Sequence, residues 1–385
     1  MRLLLTGLMI GCALAANTQP AANDTVREPI DVRFLFHYYE QDGSHSAVTG
    51  GTGSEKLEDR NTRIVINIPV DSTARLKLSG GWNYYTSASS DKISSISSAS
   101  SEDHRVEAEM MYTSTKVKHV QKGLLMSGSS ETDYMSSSLG ILWGRENTEL
   151  TRGLDLMLRA WFDKWMIVLP DELRDSGWNH FGTDKRRAIL LGLSYRHELS
   201  ARSVISATVD PLVQWGLLST PFHRVISADS VVIAELLPSH RIRVPIGVRF
   251  YHNYRGTLIT KLFLRLYADN FGIRSVTASA EPVIRVARSF KFISAYRFYA
   301  QQASDYFFPT GVVIGSEPFR TSDYDLSEFR SHRTSVGIGI EPLRGLARFG
   351  SKLLLSGISA SYSRYWRSDG LHAWWVSAEV KWLMW

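Results

Sequence analysis

In segment after segment from residue 32 onward, side chains change polarity at every second position. Val32, Phe34, Phe36 and Tyr38 alternate with Arg33, Leu35, His37 and Tyr39, and Leu76, Leu78, Gly80, Trp82 and Tyr84 alternate with Arg75, Lys77, Ser79, Gly81 and Asn83. The same holds for Leu154, Leu156, Leu158, Ala160 and Phe162, and for Ile189, Leu191, Leu193 and Tyr195. The clearest case is RIRVPIGVRF, where Ile242, Val244, Ile246, Val248 and Phe250 oppose Arg241, Arg243, Pro245, Gly247 and Arg249. The last is WWVSAEVKWLMW, apolar at every second residue from Trp374 to Met384 and polar at Ser377, Glu379 and Lys381. A period of two puts successive side chains on opposite faces of a strand, so each segment has one dry face and one wet face. Beyond the N-terminal leader, no run approaches the roughly 18 unbroken apolar residues of a membrane-spanning helix.

The connections decide what such strands can build. A soluble sandwich also alternates, but its turns are uniformly short. Here short connections such as 69–71 and 253–256 are mixed with long polar ones at 40–59, 87–103, 167–184, 215–240 and 302–329. The pattern predicts an all-β chain: a single antiparallel transmembrane β-barrel of about 16 strands, with short periplasmic turns, long external loops and both termini on the periplasmic side. Tyrosines and tryptophans gather at strand ends, where amphipathic rings suit the headgroup layer. A terminal aromatic is what outer-membrane barrels present to their insertion machinery, and that machinery is an expected partner. Trp385 falls one residue out of phase with the apolar set ending at Met384, which implies a variant terminus or a one-residue bulge.

The start, MRLLLTGLMIGCALAANTQPAANDT, has a positive head at Arg2, an apolar run over 3–10 and an A-x-A site at Ala13 and Ala15. It predicts a signal peptide over 1–15, a periplasmic N-terminal segment over 16–30 and the barrel over 31–385, located in the outer membrane of a Gram-negative bacterium. The one cysteine, Cys12, lies inside that leader, which leaves neither a disulfide framework nor a cysteine metal site. A lipoprotein, with Cys12 lipidated, is the alternative. The net charge of +6 would suit nucleic acid in a cytoplasmic chain, but an exported one meets lipid and lipopolysaccharide phosphates instead. The serine-rich stretch 86–103 sits between two strong strands and is expected as an external loop.

If the even-numbered apolar residues of the later strands face lipid, then Arg241, Arg243, Arg249, Lys261, Arg265, Arg285, Lys291 and Arg297 line the lumen, against Asp269 and Glu281. Glu107, Glu109 and Asp155 face inward on other parts of the wall. A wall of arginine and lysine favours anions in a pore; paired across a filled lumen, the same charges would only hold the barrel's shape. No catalytic residue is assigned: His332 with Thr334, Ser327 and Asp325 nearby, and His252, make no complete nucleophile, base and orienter, so they read as rim histidines. His37 reads as a hydrogen-bonding group of the lumen. No phosphate-loop spacing occurs, and neither cofactor nor metal is expected.

Stretches along most of the chain, among them HSAVTGGTGSEKLEDR, ISSISSASSEDHR, SSETDYMSSSLG, LPSHRIRVPIGVRFY, SAYRFYAQQASDYFF, TSDYDLSEFRSH and YSRYWRSDGLHAWWVSAEV, resemble the outer-membrane barrels of the domain-of-unknown-function 3570 family. Phe271 stands where that pattern has tryptophan. The resemblance implies an asymmetric outer-membrane barrel with no established activity, sometimes encoded near flavin-attaching periplasmic proteins. Two functions of different classes follow: a pore or transport conduit favouring anionic solutes, or a closed barrel serving as scaffold for a periplasmic, redox-active partner. An outer-membrane hydrolase is a distant third.

Overall fold

The computed structural model describes residues 28–86, 102–174, 182–313 and 317–385. The expected leader over 1–15 with Cys12, most of the segment over 16–30, and the serine-rich stretch 87–101 lie outside the described residues. Sixteen antiparallel strands close into a barrel: β1 Ile30–Asp42, β2 Leu57–Pro69, β3 Ala74–Thr86, β4 Glu102–Val117, β5 Val120–Ser130, β6 Tyr134–Glu146, β7 Arg152–Ile167 and β8 Gly182–Ser200, then β9, formed by Ser203–Val209 and Leu212–Gly216, and β10 His240–Tyr254, β11 Leu258–Asp269, β12 Arg274–Arg285, β13 Phe290–Gln301, β14 Phe329–Ile340, β15 Leu353–Arg367 and β16 His372–Met384. Each strand pairs with the next, and β1 pairs with β16 from Ile30 opposite Met384 to Asp42 opposite His372. Closure leaves no edge strand, so every ladder donor and acceptor has a neighbour.

The alternation sorts the two faces as the sequence predicts. Ile242, Val244, Ile246 and Val248 on β10, Leu262, Leu264 and Leu266 on β11, and Phe34 and Phe36 on β1 all point outward and are exposed. An apolar exterior of this extent fits lipid, not water. A 13-residue strand at about 3.3 Å per residue, tilted about 40°, rises about 30 Å, which covers a hydrocarbon layer. Outward aromatics mark its border: Tyr38 and Trp374 lie 5.4 Å apart, and the Arg60 guanidinium sits 5.9 Å from the Tyr38 ring and 6.0 Å from the Tyr84 ring.

Trp385 continues the pairing beyond β16, its N–H donating to the Lys352 carbonyl at 3.0 Å. A bulge does occur near this end, but in the partner strand: the β15–β16 register shifts between Leu355 and Gly357, while β16 itself keeps its alternation. β9 is interrupted at Asp210–Pro211 without a change of register against β8 or β10. Pro211 lacks a ladder donor, and so does Pro245 on the adjoining strand, which leaves this patch of wall with fewer cross-strand bonds.

All five long connections leave the same end of the barrel. That end also carries three tight turns, at 131–133, 270–273 and 368–371, and the opposite end carries one longer connection, 341–352, folded back as a short hairpin through Ala347–Phe349. β1 and β16 place residues 30 and 384 at the short-turn end. At the other end, β1–β2 and β9–β10 stand eight strands apart, on opposite sides of the mouth. Their loops nevertheless touch: Arg224 Nη1 donates to the Val48 carbonyl at 2.7 Å. The mouth is therefore bridged.

The outward register is tested by one charge. Ile246→Arg should cost about 2 to 4 kcal/mol of barrel stability, whereas Ser129→Arg, on the lumen-facing side of β5, should cost far less. The measurement is the heat needed to convert the compact, fast-migrating band to the unfolded band on gels; equal losses would contradict the register. Gly247 makes a poor lumen-facing control, because a Cβ there would lie 2.9 Å from Thr208 Oγ1 and 3.2 Å from Phe263 Cε2.

Candidate functional site in the barrel lumen

The inward faces of the two halves carry charge differently. On β2 to β8 the arginines are matched to carboxylates: Arg63 and Arg105 to Glu107, Arg105 to Glu131 at 3.3 Å, Arg159 to Glu109 at 3.4 Å, Arg186 to Asp163 at 2.9 Å and Arg196 to Glu146 at 2.5 Å. Serines fill the remaining valences, with Ser138 and Ser127 accepting from Arg159 at 3.0 and 2.8 Å. Pairing of this kind neutralises the wall and fixes its side chains. Thus Glu107 and Glu109, expected merely to face inward, are structural partners.

The later strands divide the predicted wall in two. Arg241 is held by Asp269 at 2.5 Å, Lys261 by Glu281 at 2.6 Å and Lys291 by Glu341 at 3.0 Å. Glu341 also accepts from Lys381; burial would raise its pKa, but the hydrogen bonds from Lys381 and Lys291 outweigh that and hold it below the ordinary carboxylate value. Arg285 stands exposed at the short-turn rim, across from Lys291. Arg243, Arg249, Arg265 and Arg297 have no carboxylate within 4.0 Å among the described residues. Arg333, which the sequence did not single out, shares this condition and lies directly across from Arg297. Like charges facing each other across a ladder repel. Arg243 and Arg333 each bury an Nε that has no hydrogen-bond partner.

Three of these arginines converge. Arg243, Arg249 and Arg265 line one cavity of about 260 Å³ with Thr208, Asp210, Leu190, Leu212, Phe263 and Tyr267. It lies against the wall that Pro211 and Pro245 interrupt. The Arg249 guanidinium rests 4.8 Å from the Phe263 ring centroid, which orients it without neutralising it. Asp210 is the one carboxylate lining this cavity, in electrostatic reach of Arg265 and Arg249. Along the strands, one register row runs Arg249, Phe263, Ser279, Arg297, Arg333. Because barrel strands tilt, a row perpendicular to them climbs the wall as a spiral. On this row Arg249 of β10 and the facing pair Arg297 and Arg333 of β13 and β14 are separated by Phe263 and Ser279, with Arg265 two residues along β11 from Phe263.

The histidines singled out from sequence take no part. His332 faces outward, sharing a 2.7 Å hydrogen bond with the Tyr296 hydroxyl and stacking on Trp366. His252 meets the Ser203 hydroxyl at 2.8 Å near a short turn. His37 faces inward and meets the Ser377 hydroxyl at 2.9 Å. Carboxylate oxygens of Asp103, Glu131 and Asp133 lie within 4.8 Å of one another at the long-loop end. Burial, then the charges of Asp103 and Glu131, push Asp133 up to about 6. Thr132, the Tyr85 hydroxyl and Arg105 already serve Asp103 and Glu131, so these two carboxylates are committed to tying the turn to the wall.

Comparison with solved structures returns barrels. The chain is similar to a bacterial polysaccharide outer membrane secretin (9% identity, TM-score 0.47, covering 94% of this chain and 100% of that one) and to OpdK of Pseudomonas aeruginosa, solved with vanillate (9%, 0.42, 93% and 98%). It is also similar to the siderophore receptor PirA of Acinetobacter baumannii (9%, 0.45), of whose length it spans about half, 53%, with 89% of its own. At these identities nothing about solute or partner carries over. No family model and no curated protein matches the chain.

The paired half of the basic wall gives a stability test. The Asp269 side chain is 0% exposed and also accepts from Tyr267 and from the N–H groups of Phe271 and Ile273. Asp269→Ala leaves Arg241 uncompensated and should destabilise the barrel by about 3 to 5 kcal/mol. Adding Arg241→Gln should recover part of the loss in the same heat-modifiability assay, whereas Arg285→Gln alone should change little.

Proposed function

We propose that this chain is an outer-membrane conduit for small anionic solutes, with β10 to β14 as the track along which they pass. The observation that carries it is the set Arg243, Arg249, Arg265 and Arg297, turned to the lumen with no carboxylate within 4.0 Å among the described residues, while Arg241, Lys261 and Lys291 on the same strands are paired. Paired cations set shape; unpaired ones set a potential that draws anions and repels cations. The apolar exterior supports placement in an outer membrane, with lipid and lipopolysaccharide as its surroundings and barrel-insertion machinery as its assembly partner. Membership of the domain-of-unknown-function 3570 family belongs to the same proposal. No enzymatic role is assigned: among the described residues, no lumen or rim group is set beside a complete nucleophile and base.

A closed barrel serving as scaffold for a periplasmic redox partner has one observation in its favour, the bridged mouth. Bilayer recordings separate the two. A conduit gives stepwise conductance, and in a salt gradient its reversal potential lies toward that of the anion, the more so at low salt, where the screening length is about 10 Å at 0.1 M. Arg249→Gln with Arg265→Gln should move that potential toward zero while the folded band persists. Unchanged selectivity would remove these residues from the pathway, and silence under every condition would favour the scaffold.

A further inference from the structure

Loops rooted at distant strands knit into one cap. The β1–β2 loop meets the β13–β14 loop where Thr310 Oγ1 donates to the Gly50 carbonyl at 2.5 Å and where the His45 and Tyr324 rings stack at 4.0 Å. Gly51, at φ +84°, lets the chains approach, since a Cβ would lie 2.9 Å from Thr310 Oγ1. Arg224 of the β9–β10 loop ties Val48 to Glu172 of the β7–β8 loop, the latter at 2.8 Å. The cap is also seated on the lumen wall. Gln301 Nε2 donates to the carbonyls of Asp325 and Ser327 at 2.9 and 2.6 Å, and Arg367 Nη2 donates to the Tyr324 carbonyl at 2.9 Å.

The seam between the β9–β10 and β13–β14 loops is polar. Leu236 and Arg320 exchange backbone hydrogen bonds of 3.0 and 2.7 Å, and the Ala228 N–H donates to the Val313 carbonyl at 2.8 Å. At its centre Glu235 is buried and accepts from the Thr220 N–H at 2.7 Å and from Thr321 Oγ1 at 2.7 Å, with His223 Nδ1 at 3.3 Å. Its fully buried side chains, Val225, Val313, Thr321 and Ser322, are small. The β13–β14 loop does cover one large apolar group, the fully buried Phe271 of the 270–273 turn, but along the seam with the β9–β10 loop it is joined by a few polar contacts, and a junction of that kind sits low in the local stability range, where moving parts are found.

Resting on the conduit reading above, we propose that the β1–β2 and β9–β10 loops, with residues 302–313 and 317–328 of the β13–β14 connection, are the gate of this barrel, latched shut by the His223–Glu235–Thr321 contact. The latch senses protons. His223 faces Glu235, Asp323 and Asp325; burial lowers its pKa, but the Glu235 hydrogen bond and charge outweigh burial and raise it. Burial would raise Glu235, but His223, the Thr220 N–H and Thr321 hold it low. Asp323, facing Asp325, His223 and Glu235, is pushed up by burial, then by Asp325, to about 6. A raised histidine stabilises the closed form below the ordinary imidazole value of 6.5 and loses that stabilisation as pH rises through its raised value. A raised aspartate acts in the same direction, its stabilisation of the closed form being full below the ordinary value of 3.8 and lost as pH rises through about 6. A lowered glutamate contributes above 4.5 and fails only as pH falls through its depressed value. The cap is therefore tightest in mild acid and loosens toward alkaline pH.

The test uses the full barrel in two assays, so that gate and conduit can fail separately. In bilayers, the open fraction should be higher at about pH 8 than at about pH 5.5. Glu235→Gln should conduct at pH 5.5 as the parent does at pH 8. Leu236→Cys with Arg320→Cys, oxidised, should stay shut at both and reopen with reductant. A conducting oxidised pair, or an unaltered pH response in Glu235→Gln, overturns the gate. In detergent, trypsin should cut at Arg224 and Arg320 faster at pH 8 than at pH 5.5, relative to a peptide substrate that corrects for the enzyme's own pH response, and Glu235→Gln should abolish the difference. If nothing conducts, the conduit reading falls, and this cleavage pattern alone upholds or overturns the latch.

Discussion

Everything in this molecule hangs on the pairing of β1 with β16. An open sheet in hydrocarbon would expose a row of unsatisfied N–H and C=O groups, each costing several kcal/mol, whereas a closed one exposes none. The unbroken register from Ile30 opposite Met384 to Asp42 opposite His372 supplies that closure. Once the sheet is closed, alternation has only one meaning: one face for lipid and one for the lumen. Ile246 and Arg249, three residues apart on the same strand, are thereby assigned to different solvents.

Closure also decides what the inward charges can do. On β2 to β8, neighbouring strands bring Arg159 to Glu109 and Arg186 to Asp163, and the wall is neutralised by short-range pairing. On β10 to β14 the register sets Arg297 against Arg333 and leaves Arg243, Arg249 and Arg265 around one cavity. A stability-driven wall would not oppose two arginines on adjacent strands. The imbalance, more than the total charge, gives the lumen its direction.

The cap adds a second level of organisation to the same frame. Its loops start far apart on the rim and meet because the mouth is narrow enough for Arg224 to reach Val48 and Glu172 together. The seam between the β9–β10 and β13–β14 loops is held by ionic and neutral hydrogen bonds around Glu235, while the β13–β14 loop also covers the fully buried Phe271.

The sequence by itself determined the barrel, its strand directions, its outward face and the end from which the long loops leave, because a period of two is a local property that survives any choice of partner. It also placed Arg241 to Arg297 on one face and named Asp269 and Glu281 as their opposing acids. It could not tell Arg241, which Asp269 holds, from Arg243, which has no carboxylate within 4.0 Å among the described residues, because ion pairing depends on register between strands and register is set by closure. Glu341 and Arg333 escaped for the same reason: that Lys291 and Lys381 meet Glu341, and that Arg297 faces Arg333, leaves no signature in spacing. The cap was beyond reach altogether. Contacts such as Arg224 with Val48 join residues 176 positions apart from loops without periodicity. Only the tertiary structure, by fixing where each loop begins on the rim, decided that they would meet.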